Sequence, residues 1–133
     1  MVQSDARSPT VFVIDDDADV RASIAGLVKL AGLRAETFES AEEFLSGDRS
    51  DGPRCLVLDF TLPGMNGFEV QRELSDAGLD IPIIFISAYD DIPSHAPTIR
   101  SGAVEFLIKP FGDQALLDAI EEALNRDRTM RQK

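Results

Sequence analysis

The run Cys55-Leu56-Val57-Leu58 is apolar throughout and stops on one carboxylate, Asp59, before a turn built on Pro63, Gly64 and Gly67. A strand without polar alternation is buried on both faces, as in the middle of a parallel sheet. Such a strand does not easily hold a charge, so Asp59 belongs at its C-terminal mouth, where the chain leaves the sheet. In open parallel sheets, ligands bind at that mouth. The chain must therefore supply parallel neighbours for this strand, and their ends decide what surrounds Asp59.

Thr10-Val11-Phe12-Val13-Ile14 is a second apolar run, rich in β-branched residues, and it ends in Asp15-Asp16-Asp17. Val20, Ile24, Leu27, Val28 and Ala31 then recur at helical spacing, with Gly32 placed as a left-handed cap. Leu33 to Phe38 alternates, with Arg34 and Glu36 expected to face solvent as in an edge strand. Ser40-Ala41-Glu42-Glu43 is a capping box opening a short helix through Phe44 and Leu45. After Asp59, Asn66 can cap a helix carrying Val70, Leu74 and Ala77, ended by Gly78. Ile81 to Ile86 reads as a strand that delivers Ser87, with Pro82 tolerated near its start. Ala103 to Ile108 reads as a fifth strand, delivering Lys109 and Pro110. Asp113 opens a last helix with Leu116, Leu117, Ile120, Ala123 and Leu124 on one face. Between Asp91 and Gly102 a helix is expected, but Pro97 lies inside it and Pro93 near its start. A proline in a helix interior costs about 3 kcal/mol, so this helix should be short, irregular or displaced. Strands and helices that alternate in this way imply an α/β fold: a doubly wound parallel sheet with right-handed crossovers.

With 133 residues, the chain suits one domain. The expected division is a flexible start over 1–9, the domain over 10–126, and a tail or linker start over 127–133. The formal charge of −11, with 24 acidic against 13 basic residues, argues against nucleic-acid binding by the bulk field. Cys55 is the only cysteine, which excludes an intramolecular disulfide, and its apolar setting marks a core residue. No apolar run approaches membrane-spanning length, so a soluble, cytoplasmic protein without membrane partners is expected.

Polar groups end four of the strands: Asp15 and Asp16, Asp59, Ser87, and Lys109. In a parallel sheet these ends share one edge. Three carboxylates crowded there repel one another unless a cation joins them, and hard oxygen ligands suit Mg²⁺ (with Mn²⁺ as a substitute). Lys109 offers a compact positive charge to Asp59 or to a phosphoryl oxygen, and Ser87 offers a hydroxyl. These are the parts for phosphoryl transfer to Asp59 as nucleophile. Taken singly, each residue has a plainer reading. Asp17 is better read as a helix cap than a ligand, and His95, the only histidine, as a surface residue.

In this order the motifs resemble the receiver domain of two-component response regulators, over about Thr10 to Asn125. Val13-Ile14-Asp15-Asp16-Asp17 resembles the family's acidic pair, and Leu58 to Gly67 its phosphoacceptor motif. Ile86-Ser87-Ala88 resembles the switch Ser/Thr motif, and Lys109-Pro110-Phe111 the family's K-P-F. The resemblance implies a flavodoxin-like (βα)5 fold with strand order 2-1-3-4-5. It implies Mg²⁺ on Asp16, Asp59 and the Thr61 backbone carbonyl, and through water on Asp15, together with a cis Lys109-Pro110 bond. Phe106 matches the aromatic switch. The stretches Asp91 to Pro93 and Gly102 to Leu107 look like the FixJ-type branch, whose members carry a C-terminal helix-turn-helix domain. The implied partners are a sensor histidine kinase, a second copy of the chain on phosphorylation, and DNA only through that absent domain. The arginine-rich end favours a chain that stops at a linker over a stand-alone receiver.

Three other readings compete. A phosphatase of the haloacid-dehalogenase type would need an aspartate two residues after Asp59, where Thr61 stands. A flavodoxin would need a neutral phosphate loop where Asp15-Asp16-Asp17 stands. A phosphorylation-independent receiver would not need all five key positions filled.

Overall fold

The computed structural model describes residues 9–47, 52–87 and 105–131. The proline-containing helix expected over Asp91 to Gly102, and His95 with it, lies outside the described residues. The elements in chain order are β1 (Thr10–Ile14), α1 (Ala18–Leu30), β2 (Arg34–Phe38), α2 (Ala41–Leu45) and β3 (Arg54–Asp59). A hairpin of two-residue strands, Thr61–Leu62 and Met65–Asn66, follows. Then come α3 (Gly67–Asp76), β4 (Ile83–Ser87), β5 (Glu105–Ile108) and α4 (Asp113–Arg131).

The five long strands form one parallel sheet in the order β2-β1-β3-β4-β5. This is the 2-1-3-4-5 order of the flavodoxin-like fold, as expected. Alternate residues of the central strands enter two separate cores. Val11, Val13, Cys55, Val57, Ile84 and Ile86 pack under α1 and α4. Phe12, Ile14, Leu56, Leu58 and Phe85 pack under α2 and α3. Burial on both faces is why β1, β3 and β4 read as unbroken apolar runs.

Local signals hold at most helix ends. Gly32 and Gly78 adopt φ of 84° and 77° just past α1 and α3, where only glycine enters the left-handed region without strain. Asn66 caps α3 as expected, and Glu69 returns the bond to the Asn66 amide, completing a capping box. At α2, Ser40 accepts from the Glu43 amide, but the Glu43 carboxylate reaches one residue further back, to the Glu39 amide. The fourth strand begins at Ile83 rather than Ile81, so Pro82 lies just before it, its carbonyl accepting from the Leu56 amide. Glu36 is half-buried rather than solvent-facing, because α1 and α2 both pack on β2. The last helix runs from Asp113 to Arg131. No described helix is long and apolar enough to cross a membrane.

Candidate functional site

The strand register sets the site. Ile14 pairs with Leu58, Asp59 with Ile86, and Ser87 with Ile108. The residues that end or follow β1, β3, β4 and β5 therefore lie level at one sheet edge. These are Asp15 and Asp16, Asp59, Ser87, and Lys109, so the edge inferred from sequence is assembled.

Asp15 is fully buried. Its Oδ1 accepts from the Asp17 amide at 2.9 Å, and its Oδ2 lies 3.2 Å from Lys109 Nζ. Asp16 is exposed, one step toward solvent. Asp59 Oδ1 accepts from the Thr61 amide at 3.1 Å, and its Oδ2 lies 3.8 Å from Lys109 Nζ. The Lys109 amide donates to the Ser87 carbonyl at 2.7 Å, and the Lys109-Pro110 bond is cis. Ser87 itself is fully buried at the end of β4.

One carboxylate oxygen from each of Asp15, Asp16 and Asp59 falls within 4.8 Å of the others. Burial pushes the Asp59 carboxyl up from 3.8 to about 6. The Asp15 and Asp16 charges push the same way, and the Thr61 amide and Lys109 hold it down. Among the charged groups that move Asp59, Lys109 alone is cationic against two carboxylates, so the cluster is short of positive charge. All-oxygen donors of this kind suit a hard divalent cation, so the residues fit the Mg²⁺ that the family resemblance implies.

Asp17 is the N-cap of α1, its Oδ1 accepting from the Asp19 and Val20 amides, as expected. Phe106 is half-buried on β5, its ring centroid 5.7 Å from that of Phe60 and 5.9 Å from that of Phe85. The hairpin after Asp59 turns at Gly64, with φ of 78°. Gly67 then packs so tightly that a Cβ there would meet the Phe60 and Phe85 rings at 2.5 Å. Arg21, which no sequence motif singles out, donates through Nη1 to the Asp15 carbonyl at 2.7 Å. Its position in the first turns of α1 is the signal, since helical side chains lean back toward the N-terminus and the loop before it.

The response regulator receiver domain model matches residues 11–121 of the chain. Nodulation protein W of Bradyrhizobium diazoefficiens is 46% identical over 92% of this chain and 54% of its own. The transcriptional regulatory protein TdiR of Thauera aromatica is 44% identical over 93% of this chain and 55% of its own. Among solved structures, the response regulator StyR superposes with a TM-score of 0.87 at 48% identity, covering 94% of this chain and 63% of that one. The chain belongs to the response regulator receiver domain family, a class of regulatory rather than metabolic modules. It spans about half the length of these curated relatives.

Proposed function

We propose that Asp59 is the phosphoacceptor of a two-component response regulator and takes its phosphoryl group from a phosphorylated sensor histidine kinase. The observation that carries this reading is one buried carboxylate at the mouth of the central strand, with two more within 4.8 Å and Lys109 Nζ at 3.8 Å. In the step proposed, a carboxylate oxygen of Asp59 attacks phosphorus and the bond to the histidine nitrogen breaks. The electron pair leaves with the imidazole, which takes up a proton. Ionised Asp59 needs no general base. Lys109 offsets charge on the phosphoryl oxygens, and Ser87 offers its hydroxyl to one of them. Asp15, Asp16, Asp59 and the Thr61 carbonyl would hold Mg²⁺ (or Mn²⁺), which supplies further charge neutralisation. The chain thus catalyses only its own phosphorylation and dephosphorylation.

The output reading rests on kinship. Relatives are named as transcriptional regulators and extend well beyond the matched region. Ser87 moving toward the phosphoryl group and Phe106 turning inward would shift the population between two packings of the last βα units. That shift would promote homodimerisation and so pair DNA-binding domains that follow the receiver, in a cytoplasmic regulator. The receiver itself, at −11, would not bind DNA.

The test is incubation with acetyl phosphate and Mg²⁺, read by intact mass. Wild type should gain one phosphoryl group, and Asp59→Asn none. Equal labelling of the variant would overturn the assignment. Size measurement with and without beryllofluoride tests the dimer, and an unchanged size would count against it.

A further inference from the structure

We propose that Arg21 is a positioning residue for the acidic pair, clamping the peptide that joins Asp15 to Asp16. The inference rests on the proposed metal-assisted phosphoacceptor reading. The Asp15 carbonyl belongs to that peptide, and Arg21 Nη1 donates to it at 2.7 Å. The other arm of the guanidinium, Nη2, lies 3.8 Å from Glu39 Oε2 beyond the end of β2. The Arg21 side chain is only 16% exposed. Glu39 is itself steadied, its amide donating to Glu43 Oε1 at 2.8 Å. The planar fork therefore spans two loops at the same sheet edge, a geometry lysine cannot reproduce with one nitrogen.

The clamp matters because the two acidic residues are held differently. The Asp15 side chain is oriented directly, by the Asp17 amide and by Lys109. Its own amide is fixed to the Phe38 carbonyl at 3.2 Å. Asp16 has no such side-chain partner among the described contacts, so its carboxylate is aimed by the backbone that carries it. Arg21 fixes the plane of the peptide leading into Asp16, and with it the direction in which Asp16 leaves the loop. Removing groups that orient metal ligands from behind typically costs about 10–100-fold in metal affinity.

A simple field effect makes the opposite prediction. A guanidinium beside a cation site repels the cation, so its removal would tighten binding. Positioning predicts weaker binding.

The experiment is calorimetric titration of Mg²⁺ into the metal-free chain. Arg21→Met keeps the buried stem and removes the donors, and it should bind Mg²⁺ about tenfold more weakly. Arg21→Lys, which can still reach the Asp15 carbonyl, should recover most of the loss. With acetyl phosphate, the Mg²⁺ concentration needed for half-maximal phosphorylation should rise in Arg21→Met, while the rate at saturating Mg²⁺ stays near wild type. Binding by Arg21→Met that equals or exceeds wild type would overturn the clamp. Should Arg21→Met fail to fold, Arg21→Gln, which likewise removes the positive charge, decides by the same criterion, with weaker Mg²⁺ binding than wild type expected. A wild-type chain that binds no Mg²⁺ would overturn the phosphoacceptor reading itself, whereas equal binding by wild type and variants would overturn only the clamp.

Discussion

A buried carboxylate sits at each end of β3, and the two are treated in opposite ways. At the C-terminal end Asp59 accepts from the Thr61 amide, yet it faces Asp15 and Asp16, and its carboxyl rises to about 6. At the N-terminal end Asp127, arriving from α4, is 2% exposed and accepts from the Arg54 amide at 2.8 Å. That amide opens the central strand, and a carboxylate bound to a backbone donor closes the sheet edge there. Next to it, burial first and the Asp127 charge second push the Cys55 thiol far up, which leaves it inert. One end of β3 is thus held by bonds the fold itself supplies. The other keeps like charges together at the cost of stability, and there the proposed cation and phosphoryl group would act.

The largest expected effect loads the Asp59 end sterically. Gly67→Ala would place a Cβ 2.5 Å from ring atoms of Phe60 and Phe85, which pack against Phe68 and Phe106 and have little room to yield. Urea unfolding should show a loss of about 3 kcal/mol, the upper range for overpacking. At the other end, Asp127→Ala removes the carboxylate that the Arg54 amide donates to and should cost about 2 kcal/mol, while the proposed phosphorylation at Asp59, measured on the folded fraction, stays near wild type. A comparable loss of phosphorylation in Asp127→Ala would mean that the two ends are coupled and the contrast between them is false.

Asp59→Asn should do the reverse and stabilise the metal-free chain. The folded carboxyl titrates near 6 against 3.8 for an ordinary aspartate, so the folded state holds its proton more tightly. Stability from this group is full below about 3.8 and is lost as pH rises through about 6. A two-unit shift corresponds to about 3 kcal/mol. The side chain is 9% exposed at an open mouth, however, and solvent screening brings the expected gain to about 1–2 kcal/mol. Parallel melts in metal-free buffer should show Asp59→Asn and wild type converging near pH 4 and separating by pH 7. A constant gap across that range would refute the charge-crowding account.

Much of this was visible in the amino-acid order. The runs ending in Asp15, Asp59 and Ser87 are unbroken because those strands are covered on both faces, and their terminal polar groups stand out for the same reason. The order of strands was carried by family resemblance, since alternation alone does not rank neighbours. Arg21 and Gly67 were hidden because their roles are tertiary: one reaches back to a carbonyl, and the other meets the ring of Phe60, just past β3, and that of Phe85 on β4. Asp127 was missed differently. It continues the buried stripe of Leu116, Ile120, Ala123 and Leu124, but it lies between Arg126 and Arg128 in a run that reads as a solvated tail. Charge in the sequence outweighed period, and the amide that draws Asp127 inward lies 73 residues away.

The smallest predicted effect comes from the residue beside Asp127. Arg126 and Asp127 are consecutive on α4 but face different surroundings. Arg126 Nη2 lies 3.5 Å from Glu122 Oε2, with side chains 44% and 63% exposed. A helical i,i+4 pair this open contributes about 0.3 kcal/mol, and salt screens it. Arg126→Ala should therefore shift the urea midpoint barely at all, and less still in high salt. Asp127→Ala, one position on, should shift it several times more and with little salt dependence, because what it removes is a part-buried bond to the opening amide of β3 rather than an exposed pair. Equal costs at the two positions would show that the helix end matters through its overall charge, and the Arg54 amide would lose its place as the anchor of β3.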